Sequence, residues 1–338
     1  MDLPQPFLEY DLPRHLIAQT PAEPRDASRL LVVDRGRQRL QDHYFSELPE
    51  LLLPGDLLVV NDSRVLPARL QARRSSGGSV ELLLLEDYND GTWEALARPL
   101  ARLRPGEVLT VGCGGEGTIR FLERRNSTAL IRMETASIPA RFGETPLPPY
   151  IQTELQERER YQTVYASQDG SAAAPTAGLH FTTELLDQCR ERGVLVEPLT
   201  LHVGIDTFRP LVEEDPSDHR MHSEWYSAPA RTWAAVQAAQ AERRRVVSVG
   251  TTTTRVLETL ADALPATPAL SGRTTKYIRP PYDFQVVDGQ ITNFHLPRTT
   301  LLLMIGALAG DALLRRAYAY AIEQEYRFYS FGDAMLIV

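Results

Sequence analysis

The run Val246-Val247-Ser248-Val249-Gly250-Thr251-Thr252-Thr253-Thr254-Arg255 decides the fold class of this chain. Its first four residues, three of them valine, form the short apolar stretch typical of a buried strand. Gly250 and the threonines interrupt it, and from about residue 255 to 264 the apolar spacing is that of a helix. Strand, tight turn and helix in so few residues make half of a parallel-sheet crossover. The same texture continues outward. Residues 234–245 are a helical candidate, and Thr182 suits the N-cap of a helix ending near residue 192, with Gly193 just past its end. Residues 194–201 then read as a strand. Downstream, Asp288-Gly289 has the chemistry of a tight hairpin turn between strands at 284–287 and 290–294. Helices are expected over roughly 299–310 and 311–327. This alternation predicts an α/β (α+β) body with a mixed, partly parallel sheet.

A different texture fills residues 67–140. Short strands at 80–85, 93–98, 107–111, 118–122 and 128–133 follow one another with no helical period between them. Ser75-Ser76-Gly77-Gly78, Asn89-Asp90-Gly91, Arg104-Pro105-Gly106 and the glycines of 112–117 separate them. Close strands of this kind predict a small antiparallel β-barrel. The expected division is a body of residues 1–66 and 141–338, with a barrel of 67–140 inserted into it.

The 338 residues suffice for two such domains, and 43% hydrophobic with 24% charged residues is an ordinary globular balance. The longest apolar run, Leu301 to Ala309, is about half the ~20 residues of a membrane span. The first residues show no basic stretch leading into an apolar core, so no secretory signal is expected. Cys113 and Cys189 form no paired motif and read as free thiols in a reducing cytoplasm. No metal site is expected, no membrane, and a monomer.

Net charge is −8, which argues against a wholly electrostatic nucleic-acid binder. Lys276 is the sole lysine, however, so the basic residues are almost all arginine, the better fork for phosphate. Arginines gather at 69/73/74, 98/102/104, 120/124/125 and 243/244/245. An RNA ligand would use such local patches.

Three histidines stand at element ends beside glycine or proline. They are His180 in Ala174-Pro175-Thr176-Ala177-Gly178-Leu179-His180-Phe181, His202 in Leu201-His202-Val203-Gly204, and His295 in Asn293-Phe294-His295-Leu296-Pro297. Placed there, imidazoles are expected to face clefts, and their near-neutral pKa suits proton transfer. The helix start after Gly250 is expected to offer the hydroxyls and N–H groups of Thr251, Thr252 and Thr253 to an anion, with Arg255 adding a bidentate contact. Against this stands the ordinary use of threonine as a cap. Asn61 and Arg64 follow the apolar residues 57–60, at the strand end where α/β sheets place ligands. Glu224 stands near His222, able to orient an imidazole or bind a hydroxyl. Tyr161, Tyr165 and Phe181 would stack a base or else fill the core.

The chain resembles, nearly end to end, the S-adenosylmethionine:tRNA ribosyltransferase-isomerases of queuosine biosynthesis. The blocks that carry the resemblance are Pro54-Gly55-Asp56 through Val65, Pro146-Leu147-Pro148-Pro149-Tyr150-Ile151, and Tyr161-Gln162-Thr163-Val164-Tyr165. To these are added Ala174 to Phe181, Leu199 to Gly204, Met221-His222-Ser223-Glu224, Val249 to Arg255, Val287 to Pro297 and Tyr326 to Met335. The resemblance implies an α/β body with an inserted barrel. It implies a reaction in which the ribosyl part of S-adenosylmethionine is moved onto 7-aminomethyl-7-deazaguanine at the wobble position of tRNA. Isomerisation gives epoxyqueuosine, and adenine and methionine depart. Such chemistry calls for a base at the sulfonium-activated 5′ carbon and an acid for adenine. His180, His202 and His295 are the candidates, their roles unassigned. The binding residues implied are Asn61, Arg64, Thr176, Gly178, Glu224, Thr251, Thr252, Thr253, Arg255 and Asn293, with S-adenosylmethionine as co-substrate and no metal.

Three positions depart from the family pattern. Ile205-Asp206 stands where a small residue and glycine are usual, Ser171 replaces a glycine, and Pro281 replaces another. An aspartate next to His202 would raise that histidine's pKa or crowd its ligand. The departures keep two other readings open: a relative serving a different nucleoside acceptor, and a non-catalytic RNA-binding protein.

Overall fold

A computed structural model describes residues 9–338 except 89, 154, 156, 205–210, 212, 214 and 265. The chain forms two compact units, one of Met1–Asp62, Pro149–Ser167 and Pro175–Val338, the other of Ser63–Pro148 and Gln168–Ala174. The limits of the smaller unit thus differ from 67–140 at both ends, and it takes in a second, separate stretch of chain.

In chain order the larger unit begins with β1 (Arg29–Asp34), β2 (Arg39–Tyr44), the short helix α1 (Leu48–Leu51) and β3 (Leu57–Asn61). The smaller unit follows, with β4 (Ser63–Val65), β5 (Arg69–Arg74), β6 (Ser79–Asp87), β7 (Thr92–Arg98), β8 (Val108–Val111), β9 (Gly117–Arg125) and β10 (Thr128–Met133). It is completed by α2 (Ile138–Phe142), β11 (Gly143–Glu144) and β12 (Gln168–Ser171). The larger unit resumes with α3 (Thr183–Glu191), β13 (Leu195–Leu201), β14 (Glu224–Ser227), α4 (Ala230–Ala241), β15 (Val246–Val249), α5 (Thr251–Ala261) and β16 (Ser271–Thr274). It ends with β17 (Gly289–Asn293), α6 (Thr300–Ala309), α7 (Asp311–Glu323) and β18 (Ala334–Ile337).

One mixed sheet spans the larger unit in the order β16-β14-β13-β3-β15-β17-β18-β1-β2. Its centre, β13-β3-β15-β17, is parallel. Residues 30–33 of β1, 57–60 of β3 and 334–337 of β18 are apolar runs because both faces of these inner strands are covered. Successive residues go to opposite cores. Leu31, Val33, Met335 and Ile337 pack with α6 and α7, whereas Leu30, Val32, Ala334 and Leu336 pack with Phe45, Phe181 and α3. No described helix is long and apolar enough to cross a membrane.

The smaller unit is a closed six-stranded antiparallel barrel in the order β5-β6-β7-β10-β9-β8, sealed where Ala72 of β5 pairs with Val111 of β8. Closure removes the open edges that a lone sheet would expose. Alternate inward residues, among them Leu70, Val80, Leu82, Leu109, Ile119, Phe121 and Ile131, fill it.

Four boundaries differ from expectation. Helix α5 starts at Thr251, not near 255, because Gly250 takes φ +85 and turns the chain at once. The Thr253 hydroxyl then bonds back to Val249 O (2.7 Å) and that of Thr254 to Gly250 O (3.4 Å), so β-branching is offset by side-chain bonds to strand-end carbonyls. Helix α4 begins at Ala230 and ends before Arg243, which lies at φ +55. Helix α7 stops at Glu323, where Glu325 takes φ +52 and Tyr326 N–H bonds Ala321 O (2.8 Å). The hairpin at Asp288-Gly289 does not form. The N–H groups of Gln285, Val286 and Val287 all donate to the buried Glu258 carboxylate (3.0, 3.1 and 3.0 Å), so 284–287 has no strand ladder. Gly289 instead opens β17, parallel to β15 and antiparallel to β18.

Candidate active site

The chain leaves β3 towards β13 on one side and reappears across it as β15, so strand order reverses at β3. Open α/β sheets place ligands outside the carboxyl ends of strands at such a point. Four strand ends deliver polar residues there: His202 just past β13, Asn61 at the end of β3, Gly250 and Thr251 past β15, and Asn293 at the end of β17. With ~4.8 Å between neighbouring strands, His202 and Asn293 stand about 14 Å apart along this edge.

His180 joins the Asn293 end. It closes a short 3₁₀ turn, Thr176–His180, whose Ala177 packs beside Gly250. Its Nδ1 lies 2.7 Å from Ser28 Oγ and its Nε2 3.0 Å from Asn293 Nδ2. The Thr176 hydroxyl donates to Asn293 Oδ1 (3.0 Å). The ring stacks on Phe45, centroids 5.0 Å apart, and the residue is 4% exposed. It therefore lies in the core, contrary to the expectation of a cleft-facing imidazole. The rigid turn and the Phe45 wall carry it inward. Burial, with lesser help from Arg327 and Arg25, lowers its pKa to about 3, so the ring is neutral at physiological pH.

His202 marks the other end. Its N–H donates to Trp225 O (3.0 Å) and its half-buried ring stacks on Trp225 at 4.9 Å. Next to it, Glu224 accepts Gly204 N–H (2.8 Å) and forms a buried ion pair with Arg255 of α5. Glu224 thus turns to a guanidinium, while His222 is exposed. Arg255 Nη1 is buried with no hydrogen-bond partner among the described residues. Asn61, fully buried, bonds both N–H and C=O of Leu201 (3.1 and 3.1 Å) and reaches Thr252 Oγ1 (3.2 Å), tying β13 and α5 to β3. The expected row of free threonine hydroxyls is reduced accordingly: Thr252 Oγ1 accepts from Asn61 and the Thr253 hydroxyl donates to Val249 O. No side chain caps the N-terminus of α5.

His295 follows β17. Its Nε2 lies 2.8 Å from Thr292 Oγ1 and its backbone N–H donates to Tyr318 Oη (2.9 Å). Enclosure lowers its pKa to about 3, although part of its surface stays open. His180 bonds Asn293 and His295 bonds Thr292, consecutive residues of β17 whose side chains point to opposite faces of the sheet. Gly178 is forced by packing: a Cβ there would lie 2.1 Å from Tyr165 Oη and 2.8 Å from Thr163 Cγ2. Tyr161 and Phe181 belong to the core, against Phe331 (5.9 Å) and Phe45 (5.0 Å). Arg64 lies in the smaller unit, 4.0 Å from Asp169. Ser171 lies there too, donating to Ala173 O (2.7 Å), and Pro281 is exposed. Ile205 and Asp206 fall outside the described residues. Ser28, Trp225 and Thr292 were not singled out from sequence: no motif surrounds Ser28, whereas Trp225 directly follows Glu224 and Thr292 lies within the Val287 to Pro297 block.

A family model described as queuosine biosynthesis protein matches residues 6–337. The chain is 48% identical over 340 residues to the S-adenosylmethionine:tRNA ribosyltransferase-isomerase of Symbiobacterium thermophilum, covering 98% of each chain. It is 46% identical over 338 residues to the protein of that name from Thermotoga maritima, again covering 98% of each. A crystal structure of S-adenosylmethionine tRNA ribosyltransferase from Thermotoga maritima matches it with a TM-score of 0.58 and 37% identity, over 98% of this chain and 99% of that one. This chain belongs to the queuosine biosynthesis protein family.

Proposed function

We infer that this protein is an S-adenosylmethionine:tRNA ribosyltransferase-isomerase of the cytoplasm. It moves the ribosyl unit onto 7-aminomethyl-7-deazaguanine in the wobble position of tRNA, forming epoxyqueuosine and releasing adenine and methionine. The observation that carries this reading is identity of 46–48% along the whole chain to proteins bearing that name.

The residues of the carboxyl edge suit the co-substrate. The 11-residue helix α5 points an uncapped N-terminus at the edge, and the buried Arg255 holds one nitrogen without a partner among the described residues. Partial positive charge and unspent donors together suit a carboxylate. A guanidinium 2% exposed is out of reach of an RNA backbone, so the methionine carboxylate fits better than a phosphate. Bound there, S-adenosylmethionine supplies a sulfonium that acidifies its own 5′ carbon. His202 and His295 supply imidazoles to the same edge, and His202 is the group assigned to proton transfer. Thr251, the first residue of α5, and Asn293 flank the reacting unit.

Incubation of the protein with S-adenosylmethionine and tRNA carrying the deazaguanine precursor tests this reading. Free adenine and a mass gain on the modified nucleoside are expected. Adenine release only with some other acceptor, or tRNA binding without turnover, would overturn it.

A further inference from the structure

We propose that His180 is a positioning residue that fixes Asn293 and Thr176 at the edge of the sheet, and that it is not the acid or base of the reaction. The proposal rests on the transferase reading above and deepens it. Its starting point is the orientation of one carboxamide. Asn293 Nδ2 lies 3.2 Å from Tyr329 O, a carbonyl that only accepts, so the amide nitrogen must face it. The same NH₂ group lies 3.0 Å from His180 Nε2, which must then be the unprotonated, accepting nitrogen. The ring proton consequently sits on Nδ1 and is donated to Ser28 Oγ at 2.7 Å.

Neither ring nitrogen is left for a ligand. Protonation at Nε2 would set an N–H against an NH₂, and the Nδ1 proton is already engaged. Rotation to escape these bonds is opposed by Phe45, stacked at 26° to the ring. What the arrangement produces lies two residues outward. With its NH₂ held by His180 and Tyr329, Asn293 presents Oδ1 to the Thr176 hydroxyl (3.0 Å). The Thr176 proton is thereby spent, and the oxygen is left as an acceptor on a half-buried residue. Such an acceptor recognises an N–H or O–H donor, such as a ribose hydroxyl or an amine. Four side chains from three distant parts of the chain thus convert one threonine into an acceptor of fixed direction.

Two measurements on the full-length protein test this. In protein labelled with nitrogen-15 histidine, the imidazole whose signals vanish in His180→Gln should be a neutral Nδ1–H tautomer throughout pH 5 to 8. Titration of that ring within the range, or the opposite tautomer, would overturn the proposal. In kinetics, His180→Gln keeps an acceptor near Nε2 but cannot titrate. Its kcat should stay within about tenfold of wild type with the pH profile of kcat/KM unmoved, whereas a lost acid or base costs about 10²–10⁴. Loss beyond about 10³ together with a missing ionisation would overturn the proposal. His180→Ala and Asn293→Ala should each raise KM, and their combination should cost no more than either alone; additive losses would count against it. A wild-type protein that releases no adenine would sink the transferase reading, while the tautomer measurement on His180 would still decide this one.

Discussion

At the scale of the residue, chemistry follows from what surrounds a side chain. His180 and His202 look alike in sequence, each at the end of an element and beside a glycine. One is walled in by Phe45 and spent on Ser28 and Asn293; the other keeps a half-open ring against Trp225. His202→Ala is therefore expected to lower kcat by about 10²–10⁴ with an unchanged melting temperature. Turnover near wild type would remove His202 from the proton transfer. Gly178 offers a packing test of the same neighbourhood. Gly178→Ala should cost about 1–3 kcal/mol, because the new methyl meets Tyr165 Oη and Thr163. Adding Tyr165→Phe should recover part of that loss in a urea titration, since it removes the nearest atom.

At the scale of the element, most of the body was legible because its signals are local. The Thr182 cap is one: its hydroxyl accepts Leu185 N–H at 3.0 Å, and Gly193 sits past the end at φ +84. Thr182→Ala should cost about 1 kcal/mol in chemical denaturation. The misread elements have two kinds of cause: positive-φ residues bound α4, α5 and α7, whereas one apolar run loses its backbone donors to a distant group. The run 284–287 has strand composition, yet Glu258 on α5 takes three of its N–H groups and the Tyr282 hydroxyl at 3.0 Å. Glu258→Ala would leave those donors buried and unpaired, and more than about 3 kcal/mol of stability should be lost. A loss under 1 kcal/mol would show that water replaces the carboxylate.

At the scale of the whole molecule, stability should carry the mark of a histidine kept neutral. The His180 pKa falls from 6.5 to about 3 on folding, so between those values the unfolded chain binds a proton that the folded chain refuses. Stability is then full above pH 6.5 and declines as pH falls through the window, by about 2 kcal/mol between pH 7 and 5 for this group. His180→Gln should remove this share of the slope in urea midpoints measured across the interval, leaving that of His295, which is lowered likewise; an unchanged slope would place the proton elsewhere. The sequence by itself determined the strand and helix textures, the barrel's run of short strands, and the ordered blocks that carry the family resemblance. These signals repeat every two or 3.6 residues, or lie within single contiguous stretches. Only the tertiary structure decided that four strand ends share one edge, that Glu224 answers Arg255, and that His180 is sealed against Asn293, 113 positions away. The physical reason is that burial, tautomer and pKa depend on which distant segments exclude water and supply partners, and no local period encodes that.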